Sequence, residues 1–399
     1  MLEVVANAFT TATRVRREAR SLVSEGFEVQ TLCWDRQGRH PNTETMDDCL
    51  VHNVRLGRTT ALPSSKLYYA IAAVVFQVAI LLWVVRQVKK QGLAILTAHD
   101  FNTLLGCAAA RMLLNHRVRM VYDCHELTPG LYEEWYGPMV SAIVARLELA
   151  AGSRADAIIS VNEAIADFLQ QTKSGRSAVI YNCPAMAEIP MTSAAEAKKR
   201  LGLSDYFVVL FSGWVRQDYD FSLILHAANY LKRHNVSDIK FVFVGPPEAT
   251  TVLKTDVASE GDGLDTLFDF RGWVTNEDLF LYYAASDLCF AVTRDLGRST
   301  RVLTPTKMFE SMACGVPVAV RKGTLAAQIV RSWNCGVVVD GKQMFLTELL
   351  RLRQTSEPNA LGRAGQKAFR EVFNWDLMAG KLLDLYNQLY CELLREARA

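Results

Sequence analysis

The chain has 399 residues, and its 44 lysines and arginines nearly balance 42 aspartates and glutamates, which leaves a formal net charge of +2. This balance gives no overall attraction to nucleic acid or to an anionic bilayer, so no nucleic-acid partner is expected. Half of the residues are hydrophobic, and the length exceeds the roughly 250–300 residues at which single cores stop growing. Two domains are therefore expected.

The nine cysteines lie far apart and include no C-x-x-C pair and no cysteine and histidine grouping at zinc spacing. An odd number without such spacing argues against a disulfide framework and against a structural metal. A reducing cytosolic location is the compartment that fits this usage.

The first half of the chain alternates short β-branched runs with helical patterns. Strands are predicted at 2–6, 27–33, 94–97, 118–123, 157–160 and 178–181. This alternation is typical of parallel βαβ units.

One apolar stretch, which begins at Leu67 and ends at Val85, has Gln77 as its only strongly polar residue and is followed by Arg86, Lys89 and Lys90. Its length is close to the about 20 residues that cross a bilayer. A membrane span would separate strands that the pattern assigns to one sheet. A helix that faces the core or lies at a membrane surface is therefore preferred, with a span as the less favoured alternative.

A second series of strands is predicted at 207–211, 240–244, 267–270, 288–292, 316–320 and 336–339. The fold class is therefore α/β, with two doubly wound Rossmann-like domains. We place the first domain at 1–187, the second at 188–374 and a final helix at 375–399, which could pack on either domain.

Ligands of open parallel sheets bind at the carboxyl ends of the strands, and two such sheets facing each other would make a central cleft. Neither series carries a G-x-G-x-x-G after a strand, and the chain contains no G-x-x-x-x-G-K-[ST]. This weighs against a dinucleotide oxidoreductase and a P-loop enzyme.

After the first strand, Asn7 precedes a helix that opens near Thr13 and carries Arg16 and Arg17. A helix N-terminus beside arginines can hold a phosphate or another anionic group. A solvated basic face explains Arg16 and Arg17 equally well.

Two histidines follow neighbouring strands, His99 before Asp100 and His125 between Asp123 and Glu126. A lone histidine is usually structural, but two of them at adjacent strand ends, each beside a carboxylate, favour a site. His125 can donate a hydrogen bond to a substrate, with its pKa tuned by burial and by the neighbouring carboxylate. Asp123 braces the loop or touches substrate, and Glu126 could merely begin the next helix.

In the second half, Gly213 and Gly245 follow strands, where the lack of a Cβ lets a pyrophosphate approach the backbone, although glycine also simply turns chains. Trp273 and Val274 follow another strand, in a loop that feeds a helix. There Trp273 could stack on a base and the backbone could meet the base edge, although a core tryptophan is the commoner outcome.

The segment 304–317 carries the strongest signal. Thr304 as cap and Pro305 at the first helical position predict a short helix that ends at Gly315. Lys307 and Glu310, three residues apart, share a face. A lysine at a helix N-terminus suits a diphosphate, and a glutamate one turn deeper can accept both hydroxyls of a ribose. An ordinary ion pair between the two is the alternative.

Taken together, these segments resemble the GT-B glycosyltransferases of the large retaining family 4, over nearly the whole chain. The resemblance is carried by 14–19 with 25–29, by 122–127, by 155–163, and by 305–310 with 315–318. It implies an N-terminal acceptor domain, a C-terminal nucleotide-sugar domain and a final helix that crosses back to the first domain.

The resemblance also assigns roles. His125 matches the family's cleft histidine, which contacts the donor sugar, and Glu310 matches the second glutamate of an E-x7-E motif that binds the ribose. Val302 stands where the first glutamate would fall, and Trp214 and Tyr219 occupy the places of a basic pair.

Donor-phosphate contacts must then come from Lys307, from the backbone around Thr304, Pro305 and Thr306, and from arginines. The candidate arginines are Arg216, Arg298 and Arg301.

The resemblance implies retaining transfer of a hexose-type sugar from a UDP- or GDP-sugar to a glycan or lipid-linked acceptor. No cofactor or metal is expected, because no Asp-x-Asp motif stands in a suitable loop. Asn7, Arg16, His99, Asp100 and Glu126 are the acceptor-side candidates.

A cytoplasmic location, with peripheral contact at the inner face of the plasma membrane, is expected. A catalytically silent homologue that binds a sugar nucleotide or a partner glycosyltransferase remains the alternative, and a GT-B epimerase is disfavoured.

Overall fold

The computed structural model describes residues 1–56, 66–172, 174–189, 192–259 and 263–398. It divides into two compact units. Unit 1 comprises Met1–Tyr181 with Met378–Ala399, and unit 2 comprises Asn182–Leu377. The structure thus divides the chain after Tyr181 and after Leu377, whereas the predicted domain boundaries follow residues 187 and 374.

Unit 1 contains an eight-stranded sheet in the order β3-β4-β2-β1-β5-β6-β7-β8. Its strands are β1 Leu2–Val5, β2 Gln30–Trp34, β3 Thr43–Met46, β4 Cys49–Val54, β5 Ala94–His99, β6 Val118–Cys124, β7 Ala157–Ser160 and β8 Ser177–Val179. All pairings are parallel except that of β3 with β4.

The helices of this part of the chain are α1 Thr13–Ser24, α2 Lys66–Gln91, α3 Phe101–Leu114, α4 Thr128–Tyr136, α5 Pro138–Gly152 and α6 Glu163–Leu169. Short 3-10 turns lie at Phe9–Thr11, Asn115–Arg117 and Gln170–Thr172. The sequence predicted this alternation but not the β3–β4 hairpin. Three of the four residues of β3 are polar, the fourth is Met46, and none of them is buried, so β3 carries little apolar signal.

Helix α2 buries one apolar stripe, formed by Ala72, Phe76, Ile80 and Val84 of the predicted stretch together with Val88. The side chains before Ile71 lie outside the described part. The helix packs so closely on α3 that a Cβ added at Gly106 would lie 2.7 Å from the Gln77 carbonyl oxygen. This stripe therefore belongs to the core of unit 1.

Unit 2 contains a six-stranded sheet, parallel throughout, in the order β11-β10-β9-β12-β13-β14. Its strands are β9 Phe207–Ser212, β10 Ile239–Val244, β11 Phe268–Gly272, β12 Leu288–Phe290, β13 Val318–Arg321 and β14 Gly336–Val339.

The remaining helices are α7 Ala194–Leu201, α8 Ser222–Arg233, α9 Pro247–Ser259, α10 Asn276–Ala284, α11 Arg298–Val302, α12 Thr306–Ala313, α13 Leu325–Trp333, α14 Lys342–Arg353, α15 Glu357–Glu371 and α16 Trp375–Arg398. Two further 3-10 turns lie at Met186–Glu188 and Asp265–Leu267. Aromatic side chains fill much of the core, with Phe211 packed edge-on against Phe221 at 4.9 Å between ring centroids.

Helix α12 starts one residue later than predicted. Pro305 is its N-cap with extended backbone, and no side chain caps it, so Thr304 is not the cap. The predicted end is found, because Gly315 follows the helix with φ of 72°, a left-handed conformation that glycine adopts without strain.

From Met378 onward, helix α16 belongs to unit 1. The Tyr386 hydroxyl lies 2.7 Å from the Thr97 hydroxyl on β5. Arg176 pairs with Glu392, and Arg119 pairs with Glu396. These contacts fix the helix against the strands of unit 1.

Candidate functional site

At the carboxyl edge of the unit 1 sheet, the buried carboxylate of Asp123 holds three side chains together. Arg14 donates to it from Nη2 at 3.0 Å and from Nε at 3.3 Å. His99 Nδ1 lies 3.1 Å and His125 Nε2 2.7 Å from Asp123 Oδ2. The register of β5 with β6 places His99 beside Asp123, so this group follows from the strand pairing.

Both ring nitrogens of His125 face carboxylates, because Nδ1 lies 3.2 Å from Asp100 and Nε2 contacts Asp123. The His125 backbone N–H also donates to Asp100 at 2.9 Å. Burial alone would lower the pKa of His125, but Asp100 and Asp123 outweigh it and raise that pKa well above its ordinary value. His125 is therefore an imidazolium at neutral pH.

This arrangement changes the role expected for His125. Neither ring nitrogen is free to donate to a substrate while both carboxylate contacts last. Asp100 is the more exposed of the two carboxylates, at 36% against 0% for Asp123, and its contact is the longer one. A substrate group that reaches the ring must therefore replace Asp100.

Burial opposes charge on Asp123, but Arg14 and the two histidines hold the pKa of Asp123 well below its ordinary value. Arg14 Nε also lies 2.8 Å from the buried carboxylate of Glu18, whose pKa burial raises. Burial lowers the pKa of His99, which is thus neutral, and its Nε2 has no hydrogen-bond partner among the described residues. The network is close to neutral overall.

The ligand atoms of His99, Asp123 and His125 lie within 4.8 Å of one another, a spacing that a metal ion could use. However, the Arg14 guanidinium already binds Asp123, and His125 carries a proton. A divalent cation would face both positive charges, so this geometry suits a hydrogen-bonded network better than a metal.

The other acceptor-side candidates are spread around this edge. Arg16 pairs with Asp47 at 2.7 Å, so it meets a carboxylate of the chain and not open solvent. Asn7 is exposed just after β1, and Glu126 is exposed between β6 and α4. Among these candidates, His99, Asp100 and His125 contact one another or Asp123 directly.

In unit 2, Gly213 and Gly245 connect the loops at the ends of neighbouring strands through backbone hydrogen bonds. The Gly213 N–H donates to the Val244 carbonyl at 2.7 Å, and the Gly245 N–H donates to the Gly272 carbonyl at 2.9 Å. A Cβ at Gly245 would lie 2.1 Å from the Gly213 carbonyl oxygen. Close loop packing therefore already explains the glycine at position 245.

The Lys307 ammonium rests on two aromatic rings. Its Nζ lies 3.7 Å from the Tyr219 ring centroid and 4.1 Å from that of Phe211. Its side chain is 8% exposed, and no ion pair joins it to a carboxylate in the described part of the chain. Burial lowers the pKa of Lys307 to about 8. The alternative of an ion pair with Glu310 is therefore not what the structure shows.

Glu310 lies one turn further along α12 and accepts a hydrogen bond from the Tyr283 hydroxyl at 2.7 Å. Tyr283 in turn lies 2.6 Å from the Ser212 hydroxyl, at the end of β9. This chain fixes one oxygen of the Glu310 carboxylate.

The remaining donor-side candidates lie around α10 to α12. Thr304 and Pro305 are buried, and Thr306 accepts a hydrogen bond from Asn182 at 3.2 Å. Trp273 is 73% exposed and is thus not a core tryptophan, while Val274 beside it is half-buried.

The candidate arginines meet acids of the chain. Arg216 lies 3.3 Å from Asp218, and Arg301 binds Asp295 at 2.8 Å. Arg298 is exposed at the start of α11. Of all donor-side cations considered, Lys307 alone is both buried and, among described residues, without a carboxylate partner.

Sequence reasoning missed the residues that hold these groups in place. Arg14 and Glu18 stand four apart on α1, a spacing that suggests a pair but not its burial. The sequence shows Tyr219 only as a departure from the family's basic pair. Its contact with Lys307, like the contacts of Phe211 and Tyr283, is made only in the folded chain.

Two family descriptions match the chain. Residues 10–183 match the glycosyl transferase 4-like domain, and residues 206–355 match glycosyl transferases group 1. No curated protein matches it by sequence.

Solved structures of similar fold cover nearly the whole length of the chain. Sucrose-phosphate synthase from Thermosynechococcus elongatus aligns with a TM-score of 0.78 and 18% identity, over 98% of each chain. Anabaena HepE, in complex with UDP and glucose, aligns with a TM-score of 0.69 and 15% identity, over 97% of this chain and 98% of its own. A trehalose-6-phosphate protein from E. coli, bound with UDP-2-fluoro glucose, aligns with a TM-score of 0.70 and 10% identity, over 96% of this chain and 98% of its own.

The two domain matches together span most of the chain, and the two parallel α/β sheets agree with the GT-B architecture of these structures. The chain belongs to the GT-B glycosyltransferases that join a glycosyl transferase 4-like domain to a group 1 domain, and it is a glycosyltransferase enzyme.

Proposed function

We propose that the enzyme moves a hexose-type sugar from a UDP- or GDP-sugar to a glycan or lipid-linked acceptor, with retention of the anomeric configuration. The observation that carries the proposal is the Lys307 ammonium, buried on aromatic rings without a carboxylate partner in the described chain and one turn from Glu310. Such a cation suits a diphosphate, and the carboxylate suits the two hydroxyls of a ribose.

The leaving nucleoside diphosphate develops negative charge as the sugar departs, so stabilisation of that charge dominates the catalytic effect. Lys307 supplies a positive charge in a site of low dielectric, where it acts more strongly than in water. The backbone N–H groups at the start of α12, from Thr306 onward, add partial positive charge. We propose that this set acts without a metal ion.

His125 serves in this proposal as a fixed cation that positions the donor sugar. Asp123 and Asp100 hold its ring, so its orientation is set before substrate arrives. Replacement of Asp100 by a sugar hydroxyl would leave the imidazolium bound to Asp123 and one N–H directed at the donor.

Two observations on other proteins support a nucleotide sugar as donor. HepE was solved with UDP and glucose, and the E. coli protein with UDP-2-fluoro glucose. We further propose that the acceptor belongs to cell-surface polysaccharide or glycolipid synthesis at the cytoplasmic face of the plasma membrane. The stretch from Leu67 to Val85 would provide peripheral membrane contact there.

A panel of UDP-, GDP- and other nucleotide sugars, screened by thermal shift, tests the donor class, because a bound ligand raises the apparent melting temperature by mass action. Hydrolysis or transfer of the donor that shifts the melt is then measured. NMR of the anomeric proton reports retention. Activity is expected to persist in the presence of a metal chelator.

His125→Ala and Glu310→Ala are expected to abolish turnover, whereas Glu277→Ala, which removes an exposed carboxylate of α10, leaves it unchanged. Each variant is compared by thermal unfolding so that loss of fold is separated from loss of chemistry. Tight donor binding with no turnover by the wild type would overturn the proposal and identify a catalytically silent homologue.

A further inference from the structure

Helix α2 exposes a second apolar stripe on the side away from its buried one. Ile71, Val74, Val75, Val78 and Leu82 are between 46% and 65% exposed. Within Ile71–Gln91, an 18-residue window has a mean hydropathy of 2.1, so by length and composition the helix could cross a membrane. A soluble surface helix ordinarily presents polar residues at such positions.

Gln77, the one strongly polar residue of this stretch, forms hydrogen bonds with the backbone of the neighbouring helix α3. Its Nε2 donates to the Asn102 carbonyl at 2.7 Å, and its Oε1 accepts from the Gly106 N–H at 2.8 Å. Gln77 thus fastens α2 to α3, and the exposed stripe of α2 keeps its apolar character.

Helix α5 exposes a similar stripe. Met139 is 78% exposed, Ile143 50% and Leu147 44%. Just before it, at the end of α4, Trp135 is 57% and Tyr136 47% exposed. Tryptophan and tyrosine are the residues that favour the boundary between lipid and water.

The two stripes lie on the same side of the unit 1 sheet. The connections that contain α2, α3 and α5 all step in one direction across the strand order, from β4 to β5, to β6 and to β7. Right-handed crossovers therefore place these helices on one face. Helix α3 contacts both α2 and α5. We call the stripes of α2 and α5 together the apolar face.

The exposed charges of α2, α3 and α5 are basic, whereas α4, which carries Trp135 and Tyr136, also carries the half-buried Glu133 and Glu134. Helices α2 and α3 contain no acidic residue, and the one acid of α5, Glu148, is 0% exposed. Arg86, Lys89 and Lys90 are exposed at the end of α2, and Arg146 is exposed on α5. Cations are thus concentrated here although the whole chain is nearly neutral.

We propose that the apolar face, with the adjoining Trp135 and Tyr136, binds the surface of an anionic phospholipid bilayer. Exposed apolar stripes enter the headgroup boundary, while basic side chains meet lipid phosphates. The side of α2 that faces the core stays packed in unit 1. In this proposal α2 therefore lies along the bilayer surface and does not cross the bilayer. Because β4 precedes α2 and β5 follows it in the same sheet, both ends of the helix stay on one side.

The inference rests on the membrane contact of the proposed function and adds the surface and the lipid charge. Its test does not require turnover, so failure of vesicle binding and failure of sugar transfer are distinguished. Wild-type protein is floated with vesicles of phosphatidylcholine, with and without phosphatidylglycerol. Binding is expected with the anionic vesicles and is expected to weaken as salt is raised.

Leu82→Glu and Ile143→Glu, one on each stripe, are each expected to lower vesicle binding by at least about tenfold, because a charged side chain must leave water. Val252→Glu, a substitution of the same kind at a 71% exposed valine of α9 in unit 2, is the matched control and leaves binding unchanged. Combined Arg86→Gln, Lys89→Gln and Lys90→Gln is expected to reduce binding to anionic vesicles by roughly a hundredfold.

Circular dichroism and melting temperature establish that each variant is folded. Absence of wild-type binding overturns the proposal, as does equal loss in Val252→Glu. Equal binding to neutral vesicles, unchanged by the triple glutamine variant, overturns its anionic part. A wild type that ignores vesicles but forms a dimer that Leu82→Glu dissociates would assign the apolar face to a second copy of the chain.

Discussion

The buried cations at the carboxyl edges of the two sheets have different partners, which are carboxylates in unit 1 and aromatic rings in unit 2. At the unit 1 edge, cations and carboxylates neutralise one another, since Asp123 meets Arg14 and His125, and Asp100 meets His125. At the unit 2 edge, the Lys307 ammonium lies on the rings of Tyr219 and Phe211.

A buried ion pair that is complete within the protein is costly to disturb and holds its members in one geometry. A buried cation that rests on ring faces and has no ion-pair partner among the described residues remains attractive to an anion. Burial lowers its pKa, although Glu310 and Asp218 partly offset that effect from a distance. In the proposed function, the unit 1 edge is therefore a preformed positioning site, and the unit 2 edge binds a ligand's negative charge.

The strongest way to break the unit 1 edge is Asp123→Asn. The substitution leaves Arg14 and His125 buried without their shared carboxylate, and loss of one partner of a buried pair costs about 3–5 kcal/mol. We expect the free energy of unfolding, measured by urea denaturation, to fall by that amount and turnover to be lost.

Asp47→Asn is the matched control, because it removes the partner of Arg16 and Arg20 at a more exposed position. Exposed pairs contribute about 0–1 kcal/mol, so little change is expected. An equal effect of the two substitutions would show that Asp123 is no more central than a surface carboxylate.

The unit 2 edge is tested by Lys307→Met. Without the ammonium, the affinity for UDP measured by calorimetry is expected to fall by about 10–100-fold, the range for hydrogen bonds to a charged group. Because the pKa of Lys307 is lowered, its charged form is disfavoured in the folded state. The methionine variant should therefore be at least as stable as the wild type below pH 8.

The same lysine predicts a pH dependence. We expect UDP to bind the form of the protein in which Lys307 is protonated. Wild-type affinity should therefore be full at about pH 7, where the UDP phosphates are also ionised, and fall by about tenfold per pH unit above pH 8. Lys307→Met should lose this dependence, while Lys322→Met, at a 60% exposed lysine, should keep it. A flat wild-type profile between pH 7 and 9.5 would contradict a role for Lys307 in binding the phosphates.

The sequence predicted what depends on local order. Strand ends place His99 and His125 at adjacent positions of a parallel sheet, and helical spacing places Lys307 and Glu310 on one face. Both follow from periodicity, which any folded βαβ unit preserves.

Long-range contacts were beyond such reasoning. Arg14 reaches Asp123 across 109 residues, and Tyr219 reaches Lys307 from the loop after β9. Gly245 shows the converse, since a glycine interpreted as room for a ligand is required by the backbone of Gly213. Only the three-dimensional structure shows whether a glycine makes room for a ligand or for a neighbouring loop.

The subtlest test concerns the ring beneath the lysine. A desolvated ammonium on an aromatic face gains about 2 kcal/mol, so Tyr219→Leu should lower the pKa of Lys307 and thereby weaken UDP binding at pH 8 by roughly tenfold. It should also move the loss of affinity to a lower pH, because the free lysine then holds its proton less well. Tyr219→Phe retains the face and should bind within about threefold of the wild type, since the quadrupole that attracts the cation belongs to the ring. If phenylalanine instead weakened binding as much as leucine does, the Tyr219 hydroxyl would be the group that matters, and the contrast between a ring-supported cation in unit 2 and a carboxylate-supported one in unit 1 would fail.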